Sequence, residues 1–462
     1  MTKGRSKLAL RSVGLTENPY RPLFRCNQFV LGPEFAPGLE DWTQVVVGPR
    51  LKLTAHPALN MVQVENGKKT LTMLGYMLDP GAPEDDDRQI LARLLDQFES
   101  LDTLVAATDS LGGRWAIVAV EGEEAHLFND ALGLRQVFYT LPGVVDEIFA
   151  MSEAALGAAM FDLPVDDAAQ AYMDLETFRT DREYKWPMAA SAFRGIRRLV
   201  SNHSLDLRRG VSRRFWPIQA LPALDLDEGV KRTGRTLQGL VRSAANRFDL
   251  AVAVTSGIDS RVVLAACKDI TDRVSFVTVR QWNMSDISPD IVIPTVLLTK
   301  LGLKHDVILA PVTMTPEFAQ VFKSNVYLAH DYYGPDAEAI LGYFGRKKVV
   351  VTGSGGEVTR CQGRQQLPYF DRKRVTPAYL SRYEMYGRNE FSERFFKEWL
   401  EDVGMVDGID RLDLFEWEQC CGSWLATTQL EFDIAWKDIF TPFNSRELLT
   451  VMLSVPSRYR KG

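Results

Sequence analysis

Residues 251–268, AVAVTSGIDSRVVLAACK, decide the fold of the second half of the chain. A short apolar run enters a turn of small residues and leaves directly into a helical pattern, which is typical of a strand–loop–helix unit in a parallel sheet. The turn offers hydroxyls, a glycine and the first amide groups of a helix, where an anion is favoured. Asp259 would repel a phosphate unless a cation lay between them, so the turn indicates a magnesium-bridged nucleotide site. An ordinary strand–helix loop is the alternative.

The length and composition of the chain limit the class of protein to which it can belong. A chain of 462 residues, 46% hydrophobic and 25% charged, predicts a globular protein with two domains. The net charge of −6 argues against nucleic acid as a partner. Five cysteines without metal-ligand spacing are typical of a reducing compartment, and no run approaches the roughly eighteen apolar residues of a membrane span. We therefore expect a cytoplasmic protein with no membrane partner.

The turn at residues 255–260, TSGIDS, resembles the pyrophosphatase loop (PP-loop) Ser-Gly-Gly-X-Asp-Ser of the asparagine synthetase and β-lactam synthetase superfamily. Thr255 and Ser256 replace the first serine and the first glycine. It is not a Walker A loop, because the lysine of that motif is missing. The resemblance implies a C-terminal parallel-sheet adenine-nucleotide (PP-loop) synthetase domain with ATP and Mg²⁺ as cofactors. The residues expected to contact the nucleotide are Val254, Thr255, Ser256, Gly257, Ile258, Asp259, Ser260, Val279, Gly353, Ser354 and Gly355.

A second glycine-rich turn follows the apolar run at residues 348–351 and carries Glu357. It resembles the Gly-X-Gly-X-Asp turn of the same superfamily, with glutamate in place of aspartate. If the two runs form neighbouring parallel strands, their following loops meet at one edge of the sheet. Asp259 and Glu357 are therefore the predicted metal ligands, and an exposed acid on a glycine turn is the alternative for Glu357.

The first half of the chain has short β-type runs at residues 42–47, 61–64 and 115–120, with one helical pattern at 87–99. Residues 112–140 resemble part of the class II glutamine amidotransferase domain, with matches at Gly113, Arg114, Asp130, Gly133, Arg135, Phe138 and Tyr139. The resemblance implies an N-terminal Ntn-hydrolase-like α/β sandwich. We expect residues 1–216 to form this domain and residues 217–462 the synthetase domain.

The predicted sandwich lacks the family's nucleophile. That family uses a cysteine directly after the initiator methionine, whereas Thr2 and Lys3 stand there in this chain. Cys26 would become amino-terminal only after proteolysis. We therefore expect a degenerate domain without glutaminase activity.

Three residues are candidates for catalysis. Glu416 and Asp438 are potential acid or base groups near the carboxyl end. The family's catalytic lysine lies shortly beyond a Leu-Ser-X-Pro segment; here LSVP at residues 453–456 is followed by one lysine, Lys461. His305 is expected at a loop or strand edge rather than in catalysis.

Together the resemblances imply an α/β enzyme that adenylates a small-molecule or peptide carboxylate with ATP, releases pyrophosphate and joins the acyl group to ammonia or a substrate amine. Such a ligase would be asparagine synthetase-like, or similar to β-lactam or macrolactam synthetases. A catalytically inactive nucleotide-binding scaffold or regulator is the alternative. Another PP-loop enzyme acting on tRNA is disfavoured by the acidic charge balance. The oligomeric state is left open, a homodimer included.

Overall fold

Two six-stranded antiparallel sheets occupy the first half of the chain, and a separate five-stranded parallel sheet occupies the second. This mixed α/β architecture comes from a computed structural model that describes residues 15–360, 375–404 and 408–460. Thr2, Lys3 and Lys461 lie outside the described residues. None of the helices in the described ranges combines the length and apolar character needed to cross a bilayer.

The antiparallel strands follow the alternation seen in the sequence. They are β1 Phe29–Gly32, β2 Thr43–Gly48, β3 Leu51–Ala55, β4 Met61–Asn66, β5 Lys69–Leu78, β6 Gly112–Glu121, β7 Glu124–Asn129, β8 Phe138–Thr140, β9 Ala150–Met151, β10 Ile196–Arg198, β11 His203–Asp206 and β12 Val211–Arg214. One sheet has the order β10-β8-β9-β1-β3-β2 and the other β12-β11-β7-β6-β5-β4. The predicted runs at 42–47, 61–64 and 115–120 correspond to β2, β4 and β6.

The two antiparallel sheets pack face to face. Phe29 and Leu53 of one sheet share a buried cluster with Leu74 and Val118 of the other. Helices α1 Asp87–Asp96 and α2 Leu101–Ala107 cover the outer face of the second sheet, and α3 Ala154–Phe161 covers the outer face of the first. Asp86 begins α1 with a capping box, which satisfies amide groups of the first turn. The first half is thus a four-layered α/β sandwich.

The strands of the parallel sheet are β13 Leu250–Ala253, β14 Val274–Arg280, β15 His305–Leu309, β16 Val349–Val351 and β17 Asp438–Phe440. Their order in the sheet is β15-β14-β13-β16-β17. The sheet is covered on both faces. Leu250 and Val252 pack with helices α6 Leu226–Arg247 and α7 Ile258–Ala266 on one face, whereas Ala251 faces α9 Pro316–Asn325 and α10 Gly334–Phe344 on the other. This side-to-side alternation explains why β13 reads as a continuous apolar run.

Eight further α-helices lie in the described ranges. They are α4 Asp167–Met173, α5 Glu176–Asp181, α8 Pro289–Lys300, α11 Pro377–Tyr383, α12 Glu390–Val403, α13 Arg411–Phe415, α14 Ala426–Phe432 and α15 Arg446–Ser454. A π-helix, Glu416–Leu425, connects α13 to α14 without a break. Helices α4 and α5 pack in one buried cluster with α11, α12 and α13. Residues that the sequence assigns to the end of the first domain therefore share a core with the carboxyl-terminal helices.

Candidate functional site

The loop after β13 and the turn after β16 lie against each other at the carboxyl edge of the parallel sheet. A Cβ added at Gly353 would lie 2.6 Å from the Ser260 amide nitrogen, and one added at Gly356 would lie 2.7 Å from Asp259 Oδ1. Both distances are too short for a side chain, so this approach requires glycine. The structure thus brings together the two loops that the sequence predicts as neighbours.

The hydroxyls of the first loop are used mainly within the protein. The Ser256 amide and hydroxyl both donate to Asp290 Oδ1, at 2.9 and 2.6 Å, and Asp290 lies in the first turn of α8. Ser260 Oγ accepts from the Thr255 amide at 3.1 Å. These bonds fix the shape of the loop, whereas the sequence had assigned the hydroxyls to a phosphate. Gly257, at the N-cap of α7, provides no side-chain acceptor, so the amide groups of the first turn are suited to an anion.

Asp259 and Glu357 form a carboxylate pair with an arginine beside it. Arg360 Nη2 lies 2.7 Å from Asp259 Oδ2. Burial raises the pKa of Asp259, and the Arg360 charge opposes that rise. Burial also raises the pKa of Glu357, and the nearby Asp259 charge raises it further. Two carboxylates that repel each other in a half-buried site favour a cation beside them.

The donor set at this edge fits magnesium only together with oxygens from a ligand. No group of three histidine, cysteine, aspartate or glutamate side chains across the described ranges is placed to hold a metal. Magnesium, however, is usually bound by one or two carboxylates, with phosphate oxygens and waters completing its octahedron. Asp259 and Glu357 meet that requirement. Arg360 provides the compensating charge in this structure.

Glu416 lies in a buried polar cluster. The Tyr383 hydroxyl donates a hydrogen bond to Glu416 Oε1. Burial raises the pKa of Glu416 to about 7, and the charge of Glu384 adds to the rise while Lys185 opposes it. Glu416 is the first residue of the π-helix, a geometry that is found frequently at functional sites.

The Glu416 cluster adjoins the carboxylate pair. Val358, in the turn Gly356–Thr359, packs with Trp417 and Cys421 of the π-helix. Burial raises the pKa of the Cys421 thiol well above its ordinary value, and the charge of Glu357 adds to the effect. Glu357 and Glu416 therefore both lie near Cys421.

Asp438 lies elsewhere. It begins β17, in register with Val349 at the start of β16, whereas Asp259 follows the carboxyl end of β13. Parallel strands bring like ends together, so Asp438 is at the opposite edge of the sheet. Its carboxylate lies 3.2 Å from Arg114 Nη1 and 3.0 Å from Arg135 Nη2, both buried arginines of the sandwich. The structure therefore gives Asp438 a place in the junction between the two halves, at the sheet edge opposite to Asp259.

The other residues predicted to contact the nucleotide differ in how exposed their side chains are. Val254 is buried, and its carbonyl accepts from the Thr278 hydroxyl at 2.6 Å, so only its backbone borders the loop. Ile258 is exposed at the start of α7, and Val279 is half-buried near the end of β14. Ser354 is half-buried, and Gly355 has a φ of 88°. His305 Nε2 lies 2.8 Å from the Thr278 hydroxyl, consistent with the expected strand-edge position.

Four polar residues near the site were not identified from the sequence: Lys185, Arg360, Tyr383 and Arg460. Arg460 donates to the Thr359 carbonyl at 2.8 Å and to Asp413 Oδ2 at 2.9 Å, which ties the end of the described chain to the glycine turn. Arg360 lies three residues after Glu357, a local signal that could have identified it. Lys185 and Tyr383 come from distant segments with no motif around them.

Cys26 immediately precedes the β1 region of the sandwich. Its amide nitrogen donates to the Leu23 carbonyl at 3.2 Å. The thiol is fully buried, and burial raises its pKa to about 12. A nucleophilic thiol requires a low pKa and access, and Cys26 has neither.

Comparisons with known proteins leave the family open. No protein-family model matches the chain, and no curated protein matches it. One similar solved structure is described as the allosteric regulatory enzyme of purine biosynthesis, with 10% identity and a TM-score of 0.27 over 64% of this chain and 79% of that one. Another is the glutamine phosphoribosylpyrophosphate amidotransferase from B. subtilis complexed with ADP and GMP, with 11% identity and a TM-score of 0.25 over 74% and 79%. Similarities at this level assign neither a family nor an activity.

Proposed function

We propose that the protein is an ATP-dependent ligase that forms an amide bond by adenylating a substrate carboxylate, releasing pyrophosphate, and transferring the acyl group to ammonia or a substrate amine. The observation that carries the proposal is the contact between the loop of Asp259 and the turn of Glu357 at the carboxyl edge of the parallel sheet. Ligands of such sheets bind at this edge. Asp259 follows β13 and Glu357 follows β16, and the turn that carries Glu357 contacts the first turn of α7.

The residues at this edge would divide the work of binding a triphosphate. Amide groups at the start of α7 would hold phosphate oxygens, since Gly257 leaves them without a side-chain cap. Asp259 and Glu357 would hold magnesium, which when bound neutralises charge on the departing pyrophosphate. Arg360 is close enough to Asp259 to exchange a carboxylate partner for a phosphate one.

Glu416 has the protonation behaviour of a general base. An amine attacks an acyl group only as its neutral form and must lose a proton in the process. A carboxylate with a pKa of about 7 is available to accept that proton near neutral pH. The Tyr383 hydroxyl would orient it through the hydrogen bond that the two share.

A nucleotide-binding protein without catalysis is the second candidate. Asp259 already has a counter-ion in Arg360, and the Ser256 hydroxyl is bonded to Asp290. A site completed by its own side chains suits a scaffold or regulator as well as an enzyme.

The test is ATP–pyrophosphate exchange with a panel of amino acids and short peptides as carboxylate substrates. We expect exchange that requires Mg²⁺ and one class of carboxylate, is lost in Asp259→Asn, and persists in Asp438→Asn as the matched control at the opposite sheet edge. Formation of ADP and orthophosphate would exclude adenylation. Magnesium-dependent ATP binding without exchange across the panel would favour the scaffold.

A further inference from the structure

A cavity of about 150 Å³ lies between the strands β10–β12 and helix α12, away from the carboxyl edge of the parallel sheet. Phe395 and Trp399 of α12 contribute its apolar walls. Arg198 at the end of β10 and Ser212 on β12 contribute its polar lining. We refer to this cavity as the Arg198 pocket.

Arg198 is a buried cation without a counter-ion in the described part of the chain. Its side chain is only 3% exposed. Nη2 donates to the Met188 carbonyl, and the Arg198 amide donates to the Ala189 carbonyl at 2.9 Å. Nε is buried and has no hydrogen-bond partner among the described residues. Burial without an opposing charge lowers the pKa of Arg198 to about 9.

The carboxylates that line the same pocket already have partners. Glu398 binds both Nη groups of Arg197, at 2.8 and 3.3 Å. Asp402 Oδ2 lies 2.9 Å from His203 Nε2 and 2.7 Å from Arg214 Nε. Arg214 also binds Glu418, at 2.6 and 2.8 Å. These carboxylates are thus engaged by other basic groups, and none of them is a hydrogen-bond partner of Arg198 in the described ranges.

A buried guanidinium with an unused donor is costly to the folded protein unless an acceptor reaches it. The pocket supplies the space for one, and water alone would satisfy the donor but not the charge. A planar or tetrahedral oxyanion satisfies both, because the guanidinium fork matches carboxylate and phosphate oxygens.

We propose that the Arg198 pocket binds a small oxyanion, a carboxylate or a phosphate group, through the Arg198 guanidinium. Because the pocket is built from strands of the sandwich and from α12, an occupied pocket joins the first half of the chain to its carboxyl-terminal helices. This site is independent of the proposed ligase activity.

The test titrates the whole protein with sodium phosphate, sodium acetate and, as the ionic-strength control, sodium chloride. We expect phosphate or acetate to raise the melting temperature saturably, by about 2 °C at ten times the dissociation constant, while chloride does not. A response to phosphate alone identifies a phosphate group, and a response to acetate alone identifies a carboxylate. Arg198→Gln should abolish the shift, and Arg208→Gln, an exposed arginine of the next hairpin, should preserve it.

Because Arg198 is buried and its substitution changes the packing around it, wild-type crystals soaked in selenate provide a second measurement. An anomalous peak in the pocket beside the Arg198 guanidinium is expected. The proposal is overturned if neither anion exceeds chloride, if Arg198→Gln retains the full shift, or if the selenate peak is absent from the pocket.

Discussion

Arg360 Nη2 lies 2.7 Å from Asp259 Oδ2, so an arginine from the glycine-rich turn neutralises the aspartate of the opposing loop. The two side chains are 29% and 21% exposed. Burial raises the pKa of both carboxyls, and the Asp259 charge raises that of Glu357 further, so a positive charge beside the pair stabilises their ionised forms. The metal predicted from the sequence would therefore bind in competition with an internal cation.

Arg360→Gln should strengthen the binding of Mn²⁺, used as a probe for Mg²⁺, in the absence of nucleotide. Removing one nearby positive charge from a half-buried site is expected to change the affinity roughly tenfold. The affinity is measured from the electron paramagnetic resonance signal of free Mn²⁺. Arg261→Gln, on the exposed side of α7, is the control and should leave the affinity unchanged. Equal binding by the wild type and Arg360→Gln would mean that the carboxylate pair is not a metal site.

Glu416→Gln should stabilise the protein at pH 8 and have little effect at pH 5. The folded pKa of about 7 is above the ordinary value of 4.5. The stability contributed by the bound proton is thus complete below pH 4.5 and is lost as the pH rises through 7. Above that, the wild type buries a charge that the amide avoids, a difference of roughly 3 kcal/mol.

Urea unfolding of Glu416→Gln and wild type at the two pH values checks this prediction. Tyr383→Phe is the companion variant, because loss of its hydroxyl removes a group that lowers the pKa of Glu416. In Tyr383→Phe we expect the loss of stability with rising pH to have its midpoint at a higher pH than in the wild type. Equal destabilisation of Glu416→Gln at both pH values would show that Glu416 is ionised throughout.

Asp438→Asn should weaken the fold while leaving ATP binding intact. The carboxylate is shared between Arg114 and Arg135, and Asp433 lies 2.6 Å from Arg114 in the same junction. Loss of charged hydrogen bonds there should cost about 2 kcal/mol. Asp259→Asn should show the reverse pattern, so unfolding and ATP-binding measurements on both variants discriminate the roles. If Asp438→Asn bound ATP more weakly but were as stable as the wild type, Asp438 would belong to the nucleotide site instead.

Glutamine should not serve as a nitrogen donor. Cys26 is fully buried, and burial raises the pKa of its thiol to about 12. We expect no glutamate above a boiled control and no alkylation of Cys26 by iodoacetamide until the protein unfolds, as read by peptide mass spectrometry. Glutamate production that disappears in Cys26→Ser, or in Thr2→Ala, would restore a glutaminase.

The local elements were predictable because their causes lie close together in the chain. Alternating residues mark β6 and β7 and the turn between them, and the small residues after β13 mark the loop that opens α7. The glycine-rich turn after β16 was visible in the sequence, and the structure places its Gly353 and Gly356 close to Ser260 and Asp259. Each of these signals lies within a stretch of fewer than about twenty residues, within the reach of periodicity and turn chemistry.

The charges that surround the site were set only by tertiary structure. Arg360 meets Asp259, and Tyr383 meets Glu416, across separations that no local pattern reports. Asp438 is the opposite case, because the sequence suggested a place in the site that the tertiary structure does not give it. Its sequence position suggested the site, but the parallel register of β16 and β17 places it where the strand begins. The sequence by itself determined which segments become strands and helices, because that depends on neighbours in the chain; strand order and direction decided which side chains share an edge, because that depends on how distant segments pack.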